Sequence, residues 1–164
     1  MSTAVHEKIE VSVSAISGPQ REANHKVLQP ILTDLIAYGL SVKQLHWNIV
    51  GAHFRPIHLH LDEIYAEIQE AIDTVAERLS ATGHSPNGTL KSVAQSTELL
   101  DVPTGFIRDD QVLLYASERT RELIGLIRSR MESVETVDTV TADILHQIVA
   151  DLEKQHWMIQ AQRV

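Results

Sequence analysis

From about Val27 to Val50, the apolar residues Leu28, Ile31, Leu32, Leu35, Val42, Leu45 and Ile49 recur at steps of three and four. That is the repeat of one buried helix face. Pro30 lacks an amide hydrogen and suits only a first turn, so the helix is expected to start just before it. Gly51 ends it. A second stripe, Leu61, Ile64, Tyr65, Ile68, Ile72, Val75 and Leu79, predicts a helix from about Pro56 to Thr82, stopped by Gly83. Residues 84 to about 107 hold two turn-rich stretches, Ser85-Pro86-Asn87-Gly88 and Val102-Pro103-Thr104-Gly105, with a short helix at Leu90 to Ser96 between them. A third long helix is expected over about Asp109 to Val134, with Val112, Ala116, Leu123, Ile127 and Val134 inward. A fourth covers about Ala142 to Gln162, with Leu145, Ile148, Val149, Leu152 and Ile159 inward, Thr141 as N-cap and Asp143 in the first turn.

Four long helices with one long connection in the middle predict an all-α four-helix bundle of ferritin-like topology, with a short helix in the connection between helices two and three. The bundle is expected over residues 27–164. Residues 1–26 read as an N-terminal tail broken at Ser17-Gly18-Pro19, in which Ile9, Val11 and Val13 alternate as a short extended arm would. A chain of 164 residues, 43% of them hydrophobic, suits one domain with one core. No apolar run approaches the roughly 18–20 residues of a membrane span, and no basic start followed by an apolar stretch marks a secretory leader. A cytoplasmic location is expected, with association with the nucleoid left open. The absence of cysteine excludes disulfides and thiolate metal sites, so any metal must be held by His, Asp and Glu. With 14 basic and 22 acidic residues the net charge is −8, a field that favours cations over phosphate-bearing partners.

The stretch LHWNIVGAHFRPIHLHLDEI, residues 45–64, holds four of the nine histidines: His46, His53, His58 and His60. On a wheel of about 100° per residue with His58 at zero, Asp62 falls near 40°, Asp73 near 60° and Glu77 near 100°, while the apolar stripe centres near 290°. Four potential ligands therefore share one flank of the second helix. His58 and Asp62 lie one turn apart, as do Asp73 and Glu77, a spacing that lets two side chains reach one ion. The two pairs are eleven residues apart, about 16 Å along the helix, so they cannot share an ion within one chain. Two copies of this helix crossing antiparallel about a two-fold axis would bring His58 and Asp62 of one chain to Asp73 and Glu77 of the other. His46 could join from the His58 side. The bland reading, a solvated polar flank, stands beside this one. Trp47 taken alone is more often a core or interface residue, and His53 and His60 fall off the flank. Glu63, Glu67 and Glu70 form a further acidic face of the same helix, read first as solvated surface.

These residues carry a resemblance. HWNIVGAHF at 46–54, then His58, Asp62 and DTVAER at 73–78, with spacings of twelve, four, eleven and four, resemble the Dps family of mini-ferritins. TADIL at 141–145 and DLEKQHW at 151–157 resemble the family's last helix, and the likeness covers roughly residues 28–162. It implies a homo-oligomeric, twelve-subunit shell with an iron-oxidising site between two-fold-related subunits. His46, His58 and Asp62 would come from one chain, and Asp73 and Glu77 from the other. Ferrous iron (Fe2+) would be oxidised to Fe3+, preferably by hydrogen peroxide rather than oxygen, and stored as ferric mineral. Trp47 could pack the site or take up a stray oxidising equivalent. The glutamate face would nucleate mineral, and Asp138 and Asp143 would line an iron entry pore.

The family name points to DNA, but the basic residues of the first 26, Lys8, Arg21 and Lys26, are balanced by Glu7, Glu10 and Glu22, and no basic C-terminal extension is expected. Weak or absent DNA binding is expected. A larger ferritin with a di-iron site inside the bundle would need Glu-x-x-His on two helices; Glu153 and His156 supply one on the last helix, and the second helix has none. A metal-dependent hydrolase using the same ligands is a further alternative.

Overall fold

The structure, a computed structural model, describes Ile9 and residues 16–164. Along the chain run α1 (Gly18–Asn48), β1 (Ile49–Val50), α2 (Phe54–Ala81), α3 (Leu90–Ser96), β2 (Ile107–Arg108), α4 (Asp109–Met131) and α5 (Thr139–Ala161). α1 packs chiefly on α2 and α4 on α5, and the α2–α4 crossover carries α3 across α1. This is the expected four-helix bundle. The apolar stripes meet at its centre, where Leu28, Ile31, Leu35, Leu45, Ile64, Leu79, Leu123, Ile127, Leu145 and Ile159 are all but completely buried. No described helix is long and apolar enough to cross a membrane.

The first helix starts earlier than the pattern indicated. It begins at Gly18, not near Val27, so residues 18–26 belong to the bundle; the proposed arm at Ile9, Val11 and Val13 falls largely outside the described residues. A capping box explains the start: the Ser17 hydroxyl accepts from the Gln20 amide, and the Gln20 side chain accepts from the Ser17 amide at 3.0 Å. Pro19 sits in the first turn, where its missing N–H costs nothing. Pro30 then lies inside the helix rather than at its head. It removes one backbone bond, but Leu28 and Ile31 on either side are wholly buried, and tertiary packing carries the helix through.

Buried polar groups tie the crossover to the bundle. Asp34 is fully buried; it accepts from Thr97 Oγ1 at 2.8 Å, from the Glu98 amide at 2.9 Å and from Arg130 at 2.6 Å. The Gln29 amide bonds both backbone groups of Asn87. Mid-bundle, Thr120 Oγ1 donates to the Ala116 carbonyl at 2.7 Å, so at 2.6 Å the Tyr38 hydroxyl donates to Thr120. Burial raises the Tyr38 pKa to about 12. Glu153 is ion-paired to Arg128 and His156 is hydrogen-bonded to Ser117, so the Glu-x-x-His pair of the last helix is engaged elsewhere.

α5 is capped by Asp138, not by Thr141. Asp138 accepts from the Val140 and Thr141 amides, from Asn24 Nδ2 at 2.5 Å, from Arg78 at 2.6 Å and from the Thr141 hydroxyl at 3.0 Å. Only 6% of it is exposed, so it is a buried tie between α1, α2 and α5; Asp143 is exposed. The short parallel pairing of Ile49 with Ile107 draws the end of α1 to the head of α4. Between β1 and α2, Gly51 has φ +139°, and a Cβ there would collide with the carboxylate of Asp109.

Candidate metal centre

The reversal from α1 through β1 into α2 sets the last turn of α1 against the second turn of α2. His46, 6% exposed, meets the half-buried His58 there, and Asp62 stands one turn further along α2. His46 Nδ1 lies 2.9 Å from the His58 carbonyl, and His58 Nδ1 lies 3.0 Å from the His46 carbonyl. A carbonyl oxygen can only accept, so each Nδ1 carries the hydrogen. In the neutral ring this tautomer puts the lone pair on Nε2, the form in which imidazole binds a metal. The rings stack with centroids 3.6 Å apart and planes 21° from parallel, and Phe54 tilts onto His58 at 4.8 Å.

One ligand atom from each of His46, His58 and Asp62 lies within 4.8 Å of the others, the sole such group of three or more among the described residues. Burial holds the His46 pKa below the usual imidazole value, so that ring is neutral at pH 7. The hydrogen bond from Lys43, Nζ to Oδ1 at 2.7 Å, lowers the Asp62 pKa. The centre therefore presents neutral nitrogen and anionic oxygen, a donor set suited to divalent iron, manganese or zinc. Three donors are fewer than such ions take, so one side stays open.

Of the residues singled out in the sequence, His46, His58 and Asp62 come together. Asp73 and Glu77 are exposed further along α2 and stand outside the trio. Trp47 follows His46 but is 65% exposed. His53 and His60 are engaged elsewhere: His53 with Asp109, and His60 with Gln155 and Gln162. Glu63, Glu67 and Glu70 are exposed, and Glu67 and Glu70 border an apolar groove between α2 and α5. Sequence reasoning passed over Lys43. Its ammonium holds Asp62 while lying 5.7 Å from the Trp47 ring and 5.3 Å from the Tyr65 ring. Its position one turn before both His46 and Trp47 was the available signal.

A family model for the ferritin-like domain matches residues 25–164. The DNA protection during starvation protein 2 of Deinococcus radiodurans is 33% identical over 136 residues, 83% of this chain but 56% of that protein, so the match spans little more than half the relative's length. The DNA protection during starvation protein of Agrobacterium fabrum is also 33% identical, over 82% of this chain and 84% of its own length. Among solved structures, Dps92 from Deinococcus radiodurans superposes with a TM-score of 0.84 at 31% identity, covering 87% of each chain. Dps from Microbacterium arborescens in its high iron form gives 0.86 at 25% identity, covering 92% of this chain and 98% of that one.

Proposed function

This chain belongs to the Dps family of ferritin-like proteins, and on that premise we propose that it oxidises Fe2+ at a dinuclear site shared by two-fold-related subunits. Hydrogen peroxide is the preferred oxidant over oxygen, and ferric mineral is kept inside a dodecameric shell in the cytoplasm, which limits oxidative damage. The observation that carries this reading is the reciprocal lock of His46 and His58 through their Nδ1 atoms, in one cluster with the Asp62 carboxylate. Asp73 and Glu77 of a second copy supply the missing side, because the two halves lie on one flank of α2 and a two-fold axis makes them meet.

The chain's groups have separable roles. Neutral imidazoles accept Fe2+ without adding charge, and the carboxylates favour Fe3+ once it forms, which drives the oxidation. Two Fe2+ give one electron each to one peroxide; with two protons this yields two Fe3+ and two waters, and no hydroxyl radical is released. The exposed Trp47 takes up any stray oxidising equivalent. Lys43 occupies the cation position beside Asp62 and must withdraw as iron enters. The acidic face at Glu63, Glu67 and Glu70 nucleates mineral on the inner wall. The net charge of −8 opposes DNA, so protection comes through iron chemistry rather than compaction, with DNA binding weak or absent at neutral pH and moderate salt.

The test combines native mass with kinetics. A shell of twelve 18.3 kDa chains has a mass of about 220 kDa. Asp73→Ala/Glu77→Ala should assemble normally yet oxidise Fe2+ with peroxide at least ~10-fold more slowly, since losing even a group that only supports a metal ligand costs about 10–100-fold. Undiminished oxidation in that variant, or a monomeric native protein, refutes the shared site. A gel shift with tight, salt-resistant DNA complexes overturns the DNA reading.

A further inference from the structure

A pair of side chains of metal-ligating type, Glu22 and His84, lies at the opposite end of α1 from His46. The Arg21 guanidinium donates to the Thr82 and Gly83 carbonyls at 3.2 and 3.3 Å, which ties the first turns of α1 to the end of α2. The His84 amide donates to the Leu79 carbonyl at 3.0 Å and fixes the backbone that presents this imidazole. His84 Nε2 is buried and has no hydrogen-bond partner among the described residues. Leaving such a nitrogen unsatisfied costs free energy. Glu22 Oε1 lies 3.8 Å from it, too far for a hydrogen bond. Bonds of about 2.0–2.2 Å from one cation to each atom would span that gap. His25, one turn after Glu22 on α1, stacks on His84 with ring centroids 4.4 Å apart and planes 19° from parallel.

We propose that Glu22 and His84, with His25 stacked on the imidazole, form a two-ligand site, completed by water, for a divalent first-row transition cation of the Zn2+ type. Imidazole nitrogen with carboxylate oxygen selects such ions over Ca2+ and Mg2+, which prefer all-oxygen sites. Burial, with the neighbouring His25 and the Arg21 charge, holds the His84 pKa down against the opposing pull of Glu22 and of a hydrogen bond to the Arg21 backbone, which favours the neutral ring a metal requires. Glu22 is 65% exposed and open to ions from solution. The bound ion cross-links the head of α1 to the start of the crossover, so metal binding stabilises the fold by mass action. The site shares no residue with the inter-subunit centre and does not depend on it.

The test uses the full chain carrying Asp62→Asn, Asp73→Asn and Glu77→Gln, in which the inter-subunit centre lacks its carboxylates. Zn2+ is titrated by calorimetry, and the melting temperature is read with and without it. We expect one Zn2+ per chain and a rise in melting temperature. Adding Glu22→Gln should weaken that binding at least tenfold and abolish the rise, and His84→Gln should do the same. Glu22→Gln alters only a solvent-facing carboxylate and keeps the fold. Zinc affinity unchanged by Glu22→Gln, or no zinc bound by the background protein, overturns the site. In the otherwise unaltered chain, Glu22→Gln should leave Fe2+ oxidation unchanged, so failure of the iron-oxidation reading and failure of this one are separately visible.

Discussion

Replacing Asp138 tests how the ends of three helices are held together. Burial alone would raise the pKa of this carboxyl, but hydrogen bonds from Asn24, Arg78 and Thr141 more than offset it and hold the pKa down at about 2, against an ordinary 3.8. At about 1.4 kcal/mol per pKa unit, that depression corresponds to about 2 kcal/mol of stability carried by the charge. Because the folded pKa lies below the unfolded one, this stability is fully present above pH 3.8 and is lost as the pH falls through about 2. Asp138→Asn keeps an N-cap but leaves the Arg78 guanidinium, 17% exposed, without its carboxylate. It should cost about 2 kcal/mol at neutral pH. Asp138→Ala also removes the cap and should cost about 3 kcal/mol. The assay is urea unfolding at one fixed protein concentration, repeated from pH 7 down to pH 2, since subunit association contributes to apparent stability. The gap between wild type and Asp138→Asn should be constant above pH 4 and close towards pH 2. A gap that stays constant through the acid range would refute the assignment of that stability to the Asp138 charge.

Two further perturbations probe the proposed metal centre and its approach. Lys43→Gln removes the ammonium that competes for Asp62; the pair is partly exposed, worth about 1 kcal/mol or less, so Co2+ binding should tighten by up to about fivefold. Weaker Co2+ binding in that variant would mean that Lys43 supports the site rather than blocking it. Gly51→Ala forces a side chain into a φ of +139° and against the Asp109 carboxylate, and should cost about 1–3 kcal/mol or more in thermal unfolding. An unchanged melting temperature would show that the β1–α2 turn relaxes freely.

The helical stripes alone determined four long helices and one crossover, because burying a face every 3.6 residues leaves a bundle as the economical solution. The wheel of α2 likewise placed His58, Asp62, Asp73 and Glu77 on one flank, since a helix converts spacing into direction with little dependence on context. Other features hinge on partners distant in sequence. The start of α1 had a local signal in Ser17 and Gln20, but Pro30 hid it, because only buried neighbours from other helices let a helix run through a proline. Thr141 looked like the cap of α5 until Asn24 and Arg78, from α1 and α2, were seen to hold Asp138 in that role.

The same division runs through the metal centre. Sequence spacing named its residues, while the tertiary reversal of α1 into α2 decided which ring nitrogen carries a hydrogen, by setting each His46 and His58 Nδ1 against the other's carbonyl. It also put Lys43 on Asp62 and His84 beside Glu22, 62 residues apart. Periodicity specifies which way a side chain points; what it meets there depends on how separate helices pack, and that choice is made by the whole core at once.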